Sequence, residues 1–223
     1  MIYDFHTHTV LSDGELSPVE LVRRAMVNGY RAMAITDHAA MGTVERITRE
    51  LIVECDLVQR YWGMVALPGV ELTHVPAAAV AECAAHAKAL GARIVIVHGE
   101  TTVEPVEPGT NMAALLSPDV DILAHPGLLT AEEAEIAAER NVFLELSARR
   151  GHSLCNGHVA ITALKAGARL VLDSDAHAPG DLLTEPFARM VVRGAGIPPE
   201  QLAYVLQENP VALLKKLGIS LPD

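Results

Sequence analysis

The sequence predicts an α/β protein whose largely parallel sheet is closed, or nearly closed, into a barrel. Short apolar runs recur along its 223 residues with helix signals between them, and a histidine or a carboxylate follows almost every run. An open doubly wound sheet is the alternative, because the periodicity fits both arrangements. We expect residues 1–223 to form one domain, since this length supports one sizeable core.

Seven apolar runs are the predicted strands. Each run is short, is bounded by turn residues and consists mostly of β-branched or aliphatic residues, which is typical of strands covered on both faces. In chain order they are Ile2–Phe5, Arg31–Ile35, Met64–Val70, Arg93–Val97, Val120–Ala124, Val142–Leu146 and Arg169–Leu172.

Helix start and stop signals lie between the runs. Ser17–Glu20 combines an N-cap serine, a first-turn proline and a capping-box glutamate, and Gly29 ends that helix. Thr130–Glu133 repeats the capping-box spacing before a stop at Asn141. Further helices are predicted from Pro76 to Gly91, from Asn156 to Gly167 and from Asn209 to Gly218.

Ionisable residues follow strand after strand. In a parallel barrel the carboxyl ends of the strands meet at one rim, where such folds build their active sites. Gathering many imidazoles and carboxylates there without a cation would cost desolvation and repulsion. We therefore predict a metal centre at the C-terminal ends of the strands. Its predicted ligands are His6, His8, Asp13, His38, Glu71, His98, His125, Asp175 and His177.

The ligand types restrict the metal. Imidazole and carboxylate without thiolate suit zinc, iron, manganese, nickel or cobalt better than calcium or magnesium. Nine ligands exceed the three or four of one catalytic zinc, so we expect two or three divalent ions. Four other histidines lie outside the set. We expect His152 and His158 at the surface or in a substrate loop, His86 on a helix, and His74 at the border of the site.

Composition and charge restrict the partners and the location. The formal net charge of −11 disfavours nucleic-acid binding, which depends on a basic surface. We expect no membrane partner, because no apolar run is long enough to span a bilayer. The N-terminus lacks signal-peptide features and the three cysteines are scattered, so we expect a cytoplasmic protein. The sequence does not indicate whether the protein is a monomer or an oligomer.

Seven short motifs occur in a fixed order between Asp4 and His177. They are Asp4-Phe5-His6-Thr7-His8-Thr9, Ser12-Asp13-Gly14, Ile35-Thr36-Asp37-His38, Gly69-Val70-Glu71, His98-Gly99, Ala124-His125-Pro126-Gly127 and Ser174-Asp175-Ala176-His177. In this order they resemble the motifs of the PHP (polymerase and histidinol phosphatase) family. The resemblance implies a distorted (β/α)7 TIM-like barrel with a trinuclear metal centre. It implies a first metal on His6, His8, Glu71 and Asp175, a second on Glu71, His98 and His125, and a third on Asp13, His38 and His177.

The resemblance further implies a metal-dependent phosphoesterase. A hydroxide shared by two cations is a strong nucleophile near neutral pH, and we expect Asp175, His177 and Glu71 to act through it. A small phosphomonoester, such as histidinol phosphate, is the expected substrate, because an acidic protein with a cationic pocket favours a small anion. The alternatives are a phosphodiesterase or 3′–5′ exonuclease, and a non-catalytic, metal-stabilised interaction module.

Residues beyond the ligands have predicted supporting roles. Arg149 and Arg150 follow the sixth run, and we expect at least one to bind substrate, because arginine's forked donors fit phosphate oxygens. Glu145 and Asp37 are suited to orient ligands by hydrogen bonds. The loop over 99–112 is long for a strand–helix connection, and we expect it to cover or select the substrate.

Overall fold

The computed structural model describes residues 1–221, in which strands and helices alternate along the chain. The strands are β1 (Ile2–Asp4), β2 (Tyr30–Ile35), β3 (His38–Ala39), β4 (Val65–Leu72), β5 (Ile94–His98), β6 (Ile122–Ala124), β7 (Phe143–Ser147) and β8 (Leu170–Asp173). The α-helices are α1 (Pro18–Val27), α2 (Val44–Trp62), α3 (Val80–Leu90), α4 (Thr110–Leu116), α5 (Ala131–Arg140), α6 (Asn156–Ala166), α7 (Glu185–Gly194) and α8 (Asn209–Lys216).

The sheet is parallel and nearly closed. Its strands follow the order β1-β2-β4-β5-β6-β7-β8, and each neighbouring pair is parallel. The ring closes just beyond β1 and β8, where the His8 amide donates to the Ala176 carbonyl (2.8 Å) and the Asp175 amide donates to the His6 carbonyl (2.9 Å). The predicted seven-stranded α/β barrel is therefore confirmed, and the open doubly wound sheet is wrong.

The short strand β3 is absent from the prediction. It pairs with β4 on the side of the active rim, and His38 lies opposite Glu71 in the register. Glu71 itself lies inside β4, which continues to Leu72, and not in the loop after it. This backbone pairing by itself places the predicted ligands His38 and Glu71 side by side.

Side-chain capping accounts for two of the five predicted helices, α1 and α5. The Ser17 side chain accepts a hydrogen bond from the Glu20 amide, and Thr130 and Glu133 form the predicted capping box. Helices α2, α4 and α7 are absent from the prediction, and no side-chain hydrogen bond caps their N-termini. The predicted helix from Pro76 begins with the 3₁₀ turn Ala77–Ala79. No helix among residues 1–221 is long and apolar enough to cross a membrane.

Apolar layers cover both faces of the sheet. One lies between the strands and the outer helices, and the other fills the barrel interior with residues such as Phe5, Ile96 and Phe143. Leu213 and Leu214 of α8 complete the interior layer. Helix α8 lies across the N-terminal ends of the strands, leaving the C-terminal ends open for the site. There the side chains of Asn209 and Lys216 donate hydrogen bonds to the carbonyls of Leu170 and Asn141. Arg93 donates to the carbonyl of Leu217, the residue that follows α8.

Candidate metal centre

The structure brings all nine predicted ligands together at the C-terminal ends of the strands. Six of them are buried, whereas Asp13, His38 and His177 lie towards solvent. Asp13 is the most accessible of the nine, with 54% of its side chain exposed. The buried members are His6, His8, Glu71, His98, His125 and Asp175.

The backbone at this rim adopts uncommon conformations. His125 and Asp175, which follow β6 and β8, have φ angles of 27° and 53° in the left-handed region. Such angles are unfavourable for residues with a Cβ and persist where surrounding structure enforces them, commonly at functional sites. Gly99 is also required, because a Cβ there would lie 2.3 Å from the Ala124 carbonyl oxygen.

Four ligand side chains meet at the base of the site. His6 Nε2 lies 3.3 Å from Glu71 Oε1, and His8 Nε2 lies 3.3 Å from Asp175 Oδ1. The cross distances are similar, with 3.9 Å from His6 Nε2 to Asp175 Oδ1 and 3.8 Å from His8 Nε2 to Glu71 Oε2. This is the group that the resemblance assigns to the first metal.

Several atoms of this group make no hydrogen bond. Among residues 1–221, His6 Nε2, both ring nitrogens of His8 and Glu71 Oε1 are buried without a hydrogen-bond partner. A buried polar atom left unpaired costs about 1–3 kcal/mol, so several in one place require an explanation. Cations held between these atoms would satisfy them, and the side chains present therefore fit a metal centre.

A hydrogen bond at Nδ1 directs Nε2 of His6 inward. His6 Nδ1 lies 2.6 Å from Glu145 Oε2, whereas His177 Nδ1 lies 2.5 Å from Arg149 Nη1, a group that can only donate a hydrogen bond. A proton held on Nδ1 leaves the Nε2 lone pair free for a metal, which is how metal-binding histidines are commonly oriented. Glu145 thus has the orienting contact predicted for it.

A second group lies nearer the solvent and includes Asp13. Asp13 Oδ1 lies 3.2 Å from His177 Nε2 and 3.5 Å from His38 Nε2. His8 Nδ1 lies 4.0 Å from Asp13 Oδ1, while Nε2 of the same ring points towards Asp175 at the base of the site. The resemblance assigns Asp13, His38 and His177 to the third metal, and the structure adds His8 to this group.

Asp37 supports this outer group indirectly. Its carboxylate accepts hydrogen bonds from the amide and hydroxyl of Thr9, both at 2.7 Å, and from the hydroxyl of Ser12 at 2.6 Å. These contacts fix the loop that carries Asp13. Asp37 therefore orders a loop, whereas the sequence places it beside His38 as a possible ligand partner.

His98 has partners that the sequence analysis missed. His125 Nε2 lies 3.5 Å from Glu71 Oε1, as the resemblance implies, but His98 Nε2 lies 3.1 Å from Glu104 Oε2. The ring of His152 is stacked on that of His125 with centroids 4.1 Å apart. Of the two positions expected for His152, at the surface or in a substrate loop, the surface is wrong, because His152 is 6% exposed.

Opposite charges alternate through the centre and shift its pKa values. Burial alone would lower the pKa of His6, but Glu71, Glu145 and Asp175 raise it well above its usual range. Burial likewise opposes protonation of His38, yet hydrogen bonds to Asp13 and Glu71 raise its pKa to about 10. Burial lowers the pKa of His8 to about 4.

The two arginines differ in position. Arg149 donates a hydrogen bond to the Asp175 carbonyl at 3.1 Å, and its Nε lies 3.7 Å from Asp175 Oδ2. Its side chain remains 32% exposed, so a guanidinium at the rim still faces solvent. Arg150 is exposed and has no hydrogen bond or ion pair within the described chain.

Comparison with known proteins gives the family. The family model of the PHP domain matches residues 4–102. An uncharacterised protein of Methanocaldococcus jannaschii is 47% identical over 218 residues, which are 97% of this chain and 100% of that protein. This chain belongs to the PHP family. The resemblance drawn from the sequence motifs is confirmed.

Two further similarities concern phosphatases. A probable phosphatase of Edwardsiella ictaluri is 28% identical to this PHP protein over 239 residues, covering 96% of this chain and 94% of that one. The structure of histidinol phosphate phosphatase from Lactococcus lactis, complexed with zinc, L-histidinol and phosphate, has the same fold. Its TM-score is 0.61 at 16% identity, over 88% of this chain and 94% of that chain. Family and centre together identify this PHP protein as a metal-dependent phosphoesterase.

Proposed function

We propose that this PHP protein hydrolyses a small phosphomonoester with two or three divalent transition-metal ions, such as zinc, manganese or iron, bound at the barrel rim. The observation that carries the proposal is the set of buried donor atoms without hydrogen-bond partners, contributed by His6, His8 and Glu71. Imidazole and carboxylate ligands of this kind suit these metals. The ligands would be the nine residues predicted from the sequence.

The chain's own residues prepare the site for this chemistry. Divalent cations bound here supply an activated water and neutralise charge on a phosphoryl group. Glu145 keeps the imidazole of His6 in the tautomer that presents Nε2. Arg149, held against Asp175, brings a guanidinium to the same rim, where it would bind phosphate oxygens.

Charge and similarity support a small substrate. The net charge of −11 lies on a protein whose proposed centre is locally cationic, so a long polyanion would be repelled while a small phosphate ester would be attracted. The Lactococcus lactis enzyme that shares the fold was solved with L-histidinol and phosphate, and the Edwardsiella ictaluri relative is named as a probable phosphatase. Histidinol phosphate is therefore the first substrate to test.

A paired assay of monoesters and diesters tests the proposal. Protein reconstituted separately with zinc, manganese or iron would be given p-nitrophenyl phosphate, bis(p-nitrophenyl) phosphate and a panel of phosphorylated metabolites that includes histidinol phosphate. We expect hydrolysis of monoesters in excess of the diester, and none after removal of metal with a chelator. A preference for the diester would replace the phosphatase by the phosphodiesterase alternative, and no hydrolysis by fully metallated protein would refute both.

A further inference from the structure

The ionisable cluster extends beyond the nine predicted ligands. Glu104, on the loop over 99–109 between β5 and α4, places Oε2 3.1 Å from the Nε2 atoms of both His98 and His74. Its Oε1 lies 3.3 Å from His152 Nε2. Two histidines outside the predicted set, His74 and His152, therefore share the Glu104 carboxylate with His98, and none of these three added residues has a role in the function proposed above.

Three imidazoles form the buried side of this cluster. The side chains of His98, His125 and His152 are 3%, 1% and 5% exposed. One nitrogen from each ring lies within 4.8 Å of those of the other two, which is compatible with a shared cation. The rings pack directly, with centroids 4.4 Å apart for His98 and His125 and 4.1 Å apart for His125 and His152.

The orientation of two of these rings is fixed by hydrogen bonds at Nδ1. His98 Nδ1 lies 3.2 Å from the Gly99 carbonyl oxygen, and His152 Nδ1 lies 2.9 Å from Thr101 Oγ1. Both rings consequently turn Nε2 towards Glu104. Held protons on the outer nitrogens and free lone pairs on the inner ones are the arrangement that metal-binding histidines require.

From this geometry we propose that His98, His125 and His152 bind one divalent cation as a three-imidazole site, with Glu104 as its exchangeable acidic ligand. The inference rests on the metal-dependent function proposed above, and it adds His152 and Glu104 to the proposed ligands. The resemblance gives this second metal only His98, His125 and Glu71. Three protein imidazoles with one remaining position are a common catalytic arrangement for zinc.

A competing group shares Glu104 but is built differently. His74, His98 and Glu104 also lie close enough to hold an ion. The side chains of His74 and Glu104 are 39% and 38% exposed, however, so water can satisfy them. The buried imidazoles have no such access, and the cation site is therefore assigned to His98, His125 and His152.

The exposure of Glu104 gives it a distinct role. The three imidazoles are embedded in the rim, whereas the carboxylate reaches the site from a long surface loop. It can withdraw without unpacking the barrel, and the position that it leaves would accept a phosphate oxygen of the substrate. Glu104 would then compete with phosphate for one position on the cation.

Metal content tests the three-imidazole site without an activity assay. His152→Ala and the bulkier His152→Gln would be compared with the wild type and with the control His158→Ala, which removes an exposed histidine from α6. After reconstitution and gel filtration, we expect both His152 variants to retain about one metal equivalent fewer, or to bind it more than 100-fold more weakly, since loss of even an orienting partner costs about 10–100-fold. Equal metal content and an unchanged cobalt absorption spectrum in both variants would overturn the site.

A second comparison tests the role of Glu104. Glu104→Gln would be titrated with inorganic phosphate by calorimetry in the metal-loaded state, beside Glu107→Gln, which alters a carboxylate of the same loop that bonds the Ala77 amide. We expect several-fold tighter phosphate binding in Glu104→Gln only, because a neutral amide is a weaker competitor for the cation. Identical phosphate affinities would reject Glu104 as a ligand.

These outcomes separate the two proposals. Wild-type protein that binds metal without hydrolysing any phosphate ester contradicts the proposed function. Wild-type activity together with full metal content in the His152 variants contradicts only the three-imidazole site.

Discussion

The two ends of the barrel are built on opposite principles. At the N-terminal end, α8 closes the interior with Leu213 and Leu214, and its polar groups bond the strand ends through residues such as Asn209 and Lys216. At the C-terminal end, buried imidazole and carboxylate atoms of His6, His8 and Glu71 have no hydrogen-bond partner within residues 1–221.

This difference teaches where stability and function lie. Apolar burial at the closed end favours folding by roughly 25 cal/mol per Å² removed from water. The open end gathers ionisable groups at the cost of desolvation and, at His125 and Asp175, of left-handed backbone. Such unfavourable features are expected to be kept for a ligand, so changes at the two ends should affect different measurable properties.

The largest effect is expected at the open end for Asp175→Asn. Asp175 Oδ1 lies 3.3 Å from His8 Nε2, and asparagine tolerates the left-handed backbone of this position, so the fold should persist. Removing one preorganised electrostatic group from an active site typically costs about 100- to 1,000-fold in kcat, or ~3–4 kcal/mol, and we expect a loss at the upper end of this range.

Steady-state kinetics and metal analysis would check this expectation together. Asp56→Asn is the matched control, because Asp56 lies on the outer helix α2, is 60% exposed and pairs with Arg60. Full phosphatase activity in Asp175→Asn, with circular dichroism like that of the control, would show that the open end is not the catalytic end.

The next effect is expected at the closed end for Leu213→Ala. Leu213 is fully buried in the interior layer, and truncating such a leucine commonly destabilises a protein by about 2–5 kcal/mol. Chemical denaturation of the metal-free protein would measure the loss, with Val211→Ala on the exposed side of the same helix as the control. We expect metal content per folded molecule to stay at the wild-type value. A loss of metal in Leu213→Ala would mean that the two ends are coupled.

Much of the rim could be predicted because strand ends repeat a simple pattern. Every apolar run except the sixth is followed by a ligand within a few residues, as with His98 at the end of β5 and His125 after β6. Once the strands are parallel, topology alone brings these residues to one rim. The closed end was not predicted in the same detail, because the apolar residues of α8 carry no signal for the element they contact.

His152 and Glu104 were missed for a different physical reason. Glu104 lies on a loop and His152 begins a 3₁₀ turn, and the position of such segments depends on contacts far apart in sequence, such as that between His152 Nδ1 and Thr101 Oγ1. One signal was present. The sixth apolar run, now β7, was the only run without a predicted ligand after it, and His152 is the first histidine to follow it. The chain reaches it through Gly151, whose φ of 96° is in the region that favours glycine.

The smallest of the three effects is expected for Glu145→Gln, beneath the open end. Glu145 Oε2 lies 2.6 Å from His6 Nδ1 and contacts His6 from the side away from Glu71. Replacing a carboxylate that orients a metal-binding histidine typically weakens metal affinity by about 10–100-fold. The variant should therefore bind metal more weakly than wild type while Glu139→Gln, an exposed change on α5, does not.

The same variant has a second readout in the metal-free protein. Because the negative charges of Glu71, Glu145 and Asp175 raise the pKa of His6 against the opposing effect of burial, removing one of them must lower that pKa. His6 would then lose its proton at a lower pH than in the wild type, which an NMR titration of the histidine rings would detect. Weaker metal binding with an unshifted His6 titration would mean that Glu145 acts through packing. Both changes together would show that the negative charge of Glu145 sets the pKa and the metal affinity of His6.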